Sequence, residues 1–397
     1  VEHLTATLDV TALDGQSHMG TGLRDFMMAG HGGDTLTGGG ADDWLEGRDG
    51  ADLLIGGAGN DWLWGGDADG AADTMIGGVG DDSMAGYDGD DQLRGDVGDD
   101  ALFGHGGRDR LVAGVGADQL TGGAGQDTLS VRADVDFRPA WVDQAHTGIA
   151  NIEEVHIRDG HTATFYADQL DNVTTLKGTA GQAETLKSYA PVSAWTFDLS
   201  NPAMNLSGWE TPDHIKLYGS TGNDNFLLGA HMSSSVYIDG GSGAGVDNLA
   251  FTQQAQGGAE IHDLDNVTGI SHIAFGNATT SITTVDGLVA SSKTLAVDAL
   301  SSTNNFTFNG LAETDGSFSI IYTGTGSCTL TGGSGNDVFS GGAGNDSFTG
   351  AQGTDTVTYE TASAAVTVNL VTGVASGTGT GTDTLVGIEN IKGSLTY

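Results

Sequence analysis

The chain has 397 residues, long enough for two or three ordinary domains, yet 67 are Gly, only 4 are Pro and 7% are aromatic, too thin an apolar supply for a large globular core. Its formal charge of −40, from 53 acidic and 13 basic side chains, disfavours nucleic acid and bare anionic membrane as partners and demands either disorder or neutralising cations. A single cysteine, Cys328, excludes an internal disulfide framework, and no apolar run approaches the roughly 18 residues of a membrane span.

Residues 1–19 read as the end of a preceding solenoid coil, with Val1-Glu2-His3-Leu4 as the tail of a strand element. No signal peptide is visible, and an opening Val1 predicts a processed or excerpted terminus. From Gly20 to Ser130 the chain divides into twelve consecutive units, eleven of nine residues and one of twelve. Gly56-Gly57-Ala58-Gly59-Asn60-Asp61-Trp62-Leu63-Trp64 is typical. Every unit keeps its aspartate: Asp25, Asp34, Asp43, Asp52, Asp61, Asp73, Asp82, Asp91, Asp100, Asp109, Asp118 and Asp127. Two residues after each Asp stands Met or Leu.

This pattern has a direct physical reading. Glycines allow the positive φ of tight turns and close backbone approach. The apolar residue two places on points inward from a short strand, because strand side chains alternate. One unit is then a turn plus a strand, and two units make one coil of about 18 residues, stacked on the next at roughly 4.8 Å. Asp43 and Asp61, 18 positions apart, fall on one edge of neighbouring coils. Carboxylates and turn carbonyls together can supply the six to eight oxygens that Ca²⁺ prefers. The expected fold class is therefore all-β, a parallel β-roll or β-solenoid with calcium ions bound between Gly-Asp-rich turns.

Residues 131–322 are richer in Thr, Ser and Ala and predict a β-solenoid with isolated repeat units around Asp224 and Asp247. Residues 323–397 predict a second roll block, with Asp337, Asp346 and Asp355 in good units and Asp383 in a weaker one, running into a truncated further repeat at Tyr397. Thr323–Thr331 fits the frame but places Cys328 where Asp belongs; a thiol is a poor calcium ligand, so this corner is expected to be a buried structural cysteine without an ion. A longer repeat, Gly-Ile-x-x-Ile, recurs at Gly148–Ile152, Gly269–Ile273 and Gly387–Ile391, and is expected to form strands in wider coils without calcium. Val366-Thr367-Val368-Asn369-Leu370 is expected to be a parallel strand.

Catalytic constellations are absent from the sequence: there is no zinc helix, nucleophile elbow or phosphate loop, and the chain is expected not to be an enzyme. Asp42-Asp43, Asp81-Asp82, Asp90-Asp91 and Asp99-Asp100 resemble acid/base pairs, but each is a repeat ligand beside a turn residue. Glu153-Glu154 reads as a solvated strand face, and His31 and His105 as solvated turn residues. Trp44 and Trp62 predict a short outward aromatic ladder, suited to glycan or to another subunit.

The Gly-Gly-x-Gly-x-Asp-x-apolar-x nonapeptide is similar to the repeats-in-toxin (RTX) β-roll motif. The layout resembles the calcium-binding S-layer proteins of that class. The resemblance implies two rows of Ca²⁺ along the roll edges and a secreted, cell-surface structural protein. Such a protein assembles with itself into a lattice, sheath or filament, with cell-surface polysaccharide as a further partner. An adhesin stalk or glycan-binding tip, and the calcium module of a type I-secreted enzyme, are the alternatives.

Overall fold

A computed structural model describes residues 6–9, 15–66, 70–137, 149–170, 172–179, 182–190, 196–199, 214–228, 236–241, 245–251, 264, 266–275, 281–299 and 305–393. Val1–Leu4, Gly148 and Tyr397, singled out in the sequence, lie outside them. The chain divides into two compact units, one of residues 1–189 with 203–215, the other of 190–202 with 216–397.

In the first unit alternate nonapeptides feed two parallel sheets. Asp25–Met28, Trp44–Glu46, Trp62–Gly66, Ser83–Asp88, Ala101–Gly107 and Gln119–Gly125 are successive strands of one. Thr35–Gly40, Leu53–Ala58, Thr74–Val79, Gln92–Val97 and Arg110–Val115 run through the other. Pairing is in repeat register: Leu45 faces Leu63, Leu63 faces Met84, and Met84 faces Leu102. The coil is therefore two nonapeptides long, as the spacing predicts. The twelve-residue unit does not disturb it, since Leu54 pairs with Met75.

The core is two columns of single side chains. Met27, Leu45, Leu63, Met84, Leu102 and Leu120 form one, Leu36, Leu54, Met75, Leu93, Leu111 and Leu129 the other, all buried. Each contributes about 1.5–3 kcal/mol by leaving water. With one large apolar side chain on most strands, joined by a small Ala85 or Ala113 on others, this is a narrow core that needs further support.

The second unit is also built of parallel strands. Asn225–Leu228, Asn248–Phe251, His272–Phe275, Thr294–Ala299 and Ser317–Tyr322 are consecutive in one sheet. Residue 225 pairs with 248 and 248 with 272, so these coils are wider than 18 residues. Larger side chains fill the extra width: Phe226, Phe251, Phe275, Phe308 and Phe318 are buried. The rings of Phe251 and Phe275 stack at 5.1 Å, one coil above the other.

One strand differs from expectation. Val366–Asn369 is antiparallel to Val374–Gly377, which is antiparallel to Gly381–Val386. The 37 residues separating Asp346 from Asp383 exceed one coil, and the surplus folds back as a local hairpin. Its alternating Thr and Val satisfy an antiparallel ladder as readily as a parallel one.

Candidate metal sites along the turn edges

The twelve repeat aspartates of the first unit fall into two rows. Asp25, Asp43, Asp61, Asp82, Asp100 and Asp118 occupy one edge; Asp34, Asp52, Asp73, Asp91, Asp109 and Asp127 occupy the other. None is more than 4% exposed. Carboxylates are rarely buried so completely unless they are paired or bind metal.

Each carboxylate is held the same way. The backbone N–H of one Asp donates to Oδ1 of the Asp one coil later, at 2.6–2.9 Å throughout both rows. The second oxygen is treated differently. Oδ2 of Asp43, Asp61, Asp82, Asp100, Asp109, Asp118 and Asp127 is buried without a hydrogen-bond partner. A row of such oxygens beside turn backbone is the donor set of a hard divalent cation. Glycine makes the room: a Cβ on Gly56 would sit 2.8 Å from the Gly77 carbonyl oxygen and collide with the Asp61 carboxylate. The foremost aspartates differ, since Asp25 Oδ2 accepts the Thr21 N–H at 2.6 Å and Asp34 Oδ2 the Gly30 N–H at 3.2 Å.

Electrostatics record the same crowding. Burial, reinforced by neighbouring row carboxylates and only partly offset by the backbone N–H, pushes Asp43, Asp82, Asp100 and Asp109 up to about 7. Asp118 rises to about 6, chiefly through burial. Ionised rows of this kind are unstable without cations between them.

Outside the Asp43–Asp118 row runs a second, exposed ladder. The Asn60 N–H donates to Asp42 Oδ1 at 3.0 Å, Asp81 N–H to Asn60 Oδ1 at 3.0 Å, and Asp99 N–H to Asp81 Oδ1 at 2.9 Å. The first residue of each acidic pair thus braces a turn. His31 pairs with Asp49, and His105 stacks on Tyr87 at 5.1 Å.

In the second unit the same geometry recurs. Asp224 N–H donates to Asp247 Oδ1, and Asp337 N–H to Asp355 Oδ1, both at 2.8 Å. Asp224 Oδ2 accepts the Ser220 N–H and Asp337 Oδ2 the Gly333 N–H, as at the row starts of the first unit. Cys328 N–H donates to Asp346 Oδ1 at 2.7 Å, so the cysteine fills an aspartate slot. Burial, then the Asp346 carboxylate, pushes its thiol well above the usual range. Asp383 Oδ1 accepts the Asp346 N–H at 3.0 Å, while its Oδ2 accepts the Tyr359 hydroxyl at 2.9 Å.

Two glutamates escaped the repeat pattern. Glu153 Oε2 accepts the N–H of Asp127, and Glu389 Oε2 that of Asp355, each at 2.8 Å. Glu153 is thus part of a row rather than of a solvated strand face; its 26-residue distance from Asp127 hid it. Asp286, Glu313 and Asp315 also converge, their carboxylate oxygens within 4.8 Å of one another. Glu313, though, is held by the backbone N–H groups of Val289 and Gly316.

The predicted aromatic ladder is present in register, Phe26 opposite Trp44 and Trp44 opposite Trp62. The rings in contact are Phe26 with Trp44 at 5.5 Å and Trp44 with Trp64 at 4.5 Å. Phe26, Trp44 and Trp62, with Arg24 and Asp42, line a groove of about 410 Å³. Among the described residues, no helix is long and apolar enough to cross a membrane.

The model of the RTX calcium-binding nonapeptide repeat (4 copies) matches residues 19–54, 46–69, 67–102, 103–137 and 322–357. No curated protein matches the chain significantly. RTX nonapeptides bind Ca²⁺ between their turns and are typical of secreted proteins. The matched segments carry the two rows of the first unit and the Asp337, Asp346 and Asp355 turns of the second, and these segments are RTX calcium-binding nonapeptide repeats.

Proposed function

We propose that the chain is a secreted, calcium-stabilised structural protein of the bacterial cell surface that folds after export and assembles into an S-layer, sheath or filament. The observation that carries this reading is the pair of buried aspartate rows with unshared oxygens. Bound calcium supplies the positive charge that lets these carboxylates stay ionised inside the fold.

The chain's own residues do the rest. Asp Oδ1 atoms clamp one coil to the next, glycines clear space beside Oδ2, and the Leu and Met columns seal the interior. We assign the ligand role to the repeat aspartates from Asp25 to Asp127, to Asp337, Asp346 and Asp355, and to Asp224, Asp247 and Asp383. Calcium dissociation constants of about 10⁻⁴–10⁻³ M, usual for extracellular modules, would leave the rows empty and the chain unfolded inside a cell. No catalytic role is proposed for any residue.

The test is a calcium titration followed by circular dichroism, with electron microscopy of the same samples. Coil-to-β conversion followed by ordered sheets or filaments is expected. A chain that folds yet remains monomeric at every calcium level refutes assembly. A second reading, a glycan-binding adhesin, is favoured by the Phe26–Trp44–Trp62 groove, where the Trp44 Nε1–H is buried without an acceptor. Binding of the cell's own surface polysaccharide, lost in Trp62→Ala, would support it.

A further inference from the structure

The two glutamates that accept row amides belong to a backbone unit that occurs three times among the described residues. Asn151-Ile152-Glu153, Gly269-Ile270-Ser271 and Gly387-Ile388-Glu389 each open on a residue of positive φ, at 51°, 69° and 60°. Each anchors a buried isoleucine, Ile152, Ile270 or Ile388. In each, two successive N–H groups converge on the carbonyl of an upstream row aspartate. Glu153 and Glu154 donate to Asp127 O at 3.2 and 2.9 Å, Ser271 and His272 to Asp247 O at 2.9 and 3.1 Å, and Glu389 and Asn390 to Asp355 O at 3.2 and 2.9 Å. The first residue's carbonyl also stands where the next glycine's carbonyl would in a regular coil: a Cβ on Gly122, Gly240 or Gly350 would strike the oxygen of Asn151, Gly269 or Gly387. The structural equivalent of Gly387-Ile388 is therefore Asn151-Ile152, not the Gly148-Ile149 that the sequence aligns with it.

The third residue of the unit occupies the aspartate slot. In a regular coil the residue after Asp61, Trp62, donates to Asp43 O at 2.9 Å, and here Glu154 and Asn390 make that same bond. Glu153 and Glu389 thus stand where the next aspartates of the rows would stand, and take over the Oδ1 bond through Oε2. Beside Glu153 lies Asp127, fully buried, its Oδ2 without a hydrogen-bond partner.

We infer that Glu153 and Glu389 each complete a last cation site on their row, with Asp127 and Asp355 respectively, and that the αL-Ile-Glu unit is the device by which a calcium row ends. In the Asp247 copy Ser271 fills the slot, so that row ends without a carboxylate and without a terminal ion. This rests on the calcium reading above and adds residues that the nonapeptide pattern does not contain.

Equilibrium dialysis of the full chain against millimolar CaCl₂, with bound calcium counted by atomic emission, tests it. Glu153→Gln and Glu389→Gln keep an oxygen to accept the row amide and remove only the charge. Each is expected to bind one ion fewer than the parent and the double variant two fewer, at unchanged far-ultraviolet dichroism in saturating calcium. Ser271→Glu is expected to bind one more. If both Gln variants bind as many ions as the parent at the same half-saturation, and Ser271→Glu gains none, the glutamates only brace the backbone and the inference fails while the calcium reading survives. A parent chain that binds no calcium overturns both. The two Gln substitutions lie in different units, and the Ser271→Glu gain is a separate measurement, so one misfolded variant leaves the others decisive.

Discussion

An interior row aspartate carries two oxygens that do different things. Asp61 Oδ1 accepts the Asp43 N–H at 2.7 Å, while Oδ2 has no hydrogen-bond partner. Asp61→Asn keeps an acceptor for that amide and removes the charge. It is expected to bind less calcium and shift the folding midpoint to higher calcium, yet to be more stable than the parent in chelator, because one buried charge is gone. Asp61→Ala also strands the Asp43 N–H, costing about 1–3 kcal/mol more than Asp61→Asn in urea unfolding with calcium present. Protons should act like weak calcium. Folded Asp43, Asp82, Asp100 and Asp109 titrate near 7, above the unfolded carboxylate range. Between about pH 4 and 7 the calcium-free fold therefore binds more protons than the unfolded chain, and its stability falls as pH rises through that window. Chelated protein should gain β-structure on acidification from pH 8 to 5, whereas calcium-loaded protein should lose ions; dichroism and dialysis across that range check both. The aspartates were legible because Asp sits at one fixed place in every unit. Glu153 was not, because the row is continued through a chain segment of another length.

Among the elements, the nonapeptide strand owes its stability to one inward side chain. Leu102, buried between Met84 and Leu120, has no second apolar neighbour on its own strand to absorb its loss. Leu102→Ala in calcium-saturated protein is expected to cost about 2–5 kcal/mol in urea unfolding. Parallel pairing and the two-unit coil followed from the period alone, since a fixed spacing of Leu and Met admits one stacking, whereas the undisturbed register across the twelve-residue unit is seen only in the structure. The hairpin at Val366–Gly377 did not, because alternation of Thr and Val marks a strand without stating which neighbour it will pair with. The Gly-Ile units were recognised as strand elements, but their true alignment depends on φ: Asn151 takes the left-handed conformation that Gly269 and Gly387 take elsewhere.

At the scale of the whole molecule, a chain of charge −40 with single-residue core columns should depend on cations for its fold. Chelation is expected to abolish most β-structure and millimolar Ca²⁺ to restore it, while Mg²⁺, which demands octahedral geometry and sheds water reluctantly, should not substitute. Cys328 offers an internal reporter: buried at 1% exposure, it should resist a thiol reagent in calcium and react fully in chelator. The amide-to-carboxylate ladder also has a polarity. In every rung of the buried aspartate row the earlier coil gives its N–H and the later coil supplies the oxygen, whereas the exposed ladder outside it runs the opposite way. A coil added on the amino-terminal side meets a carboxylate already set in a finished turn, whereas one added on the carboxyl-terminal side must bring its own carboxylate to a waiting amide. For the buried rows, growth of the stack is therefore inequivalent in its two directions: a coil added on the amino-terminal side docks its backbone amide onto a carboxylate that is already in place.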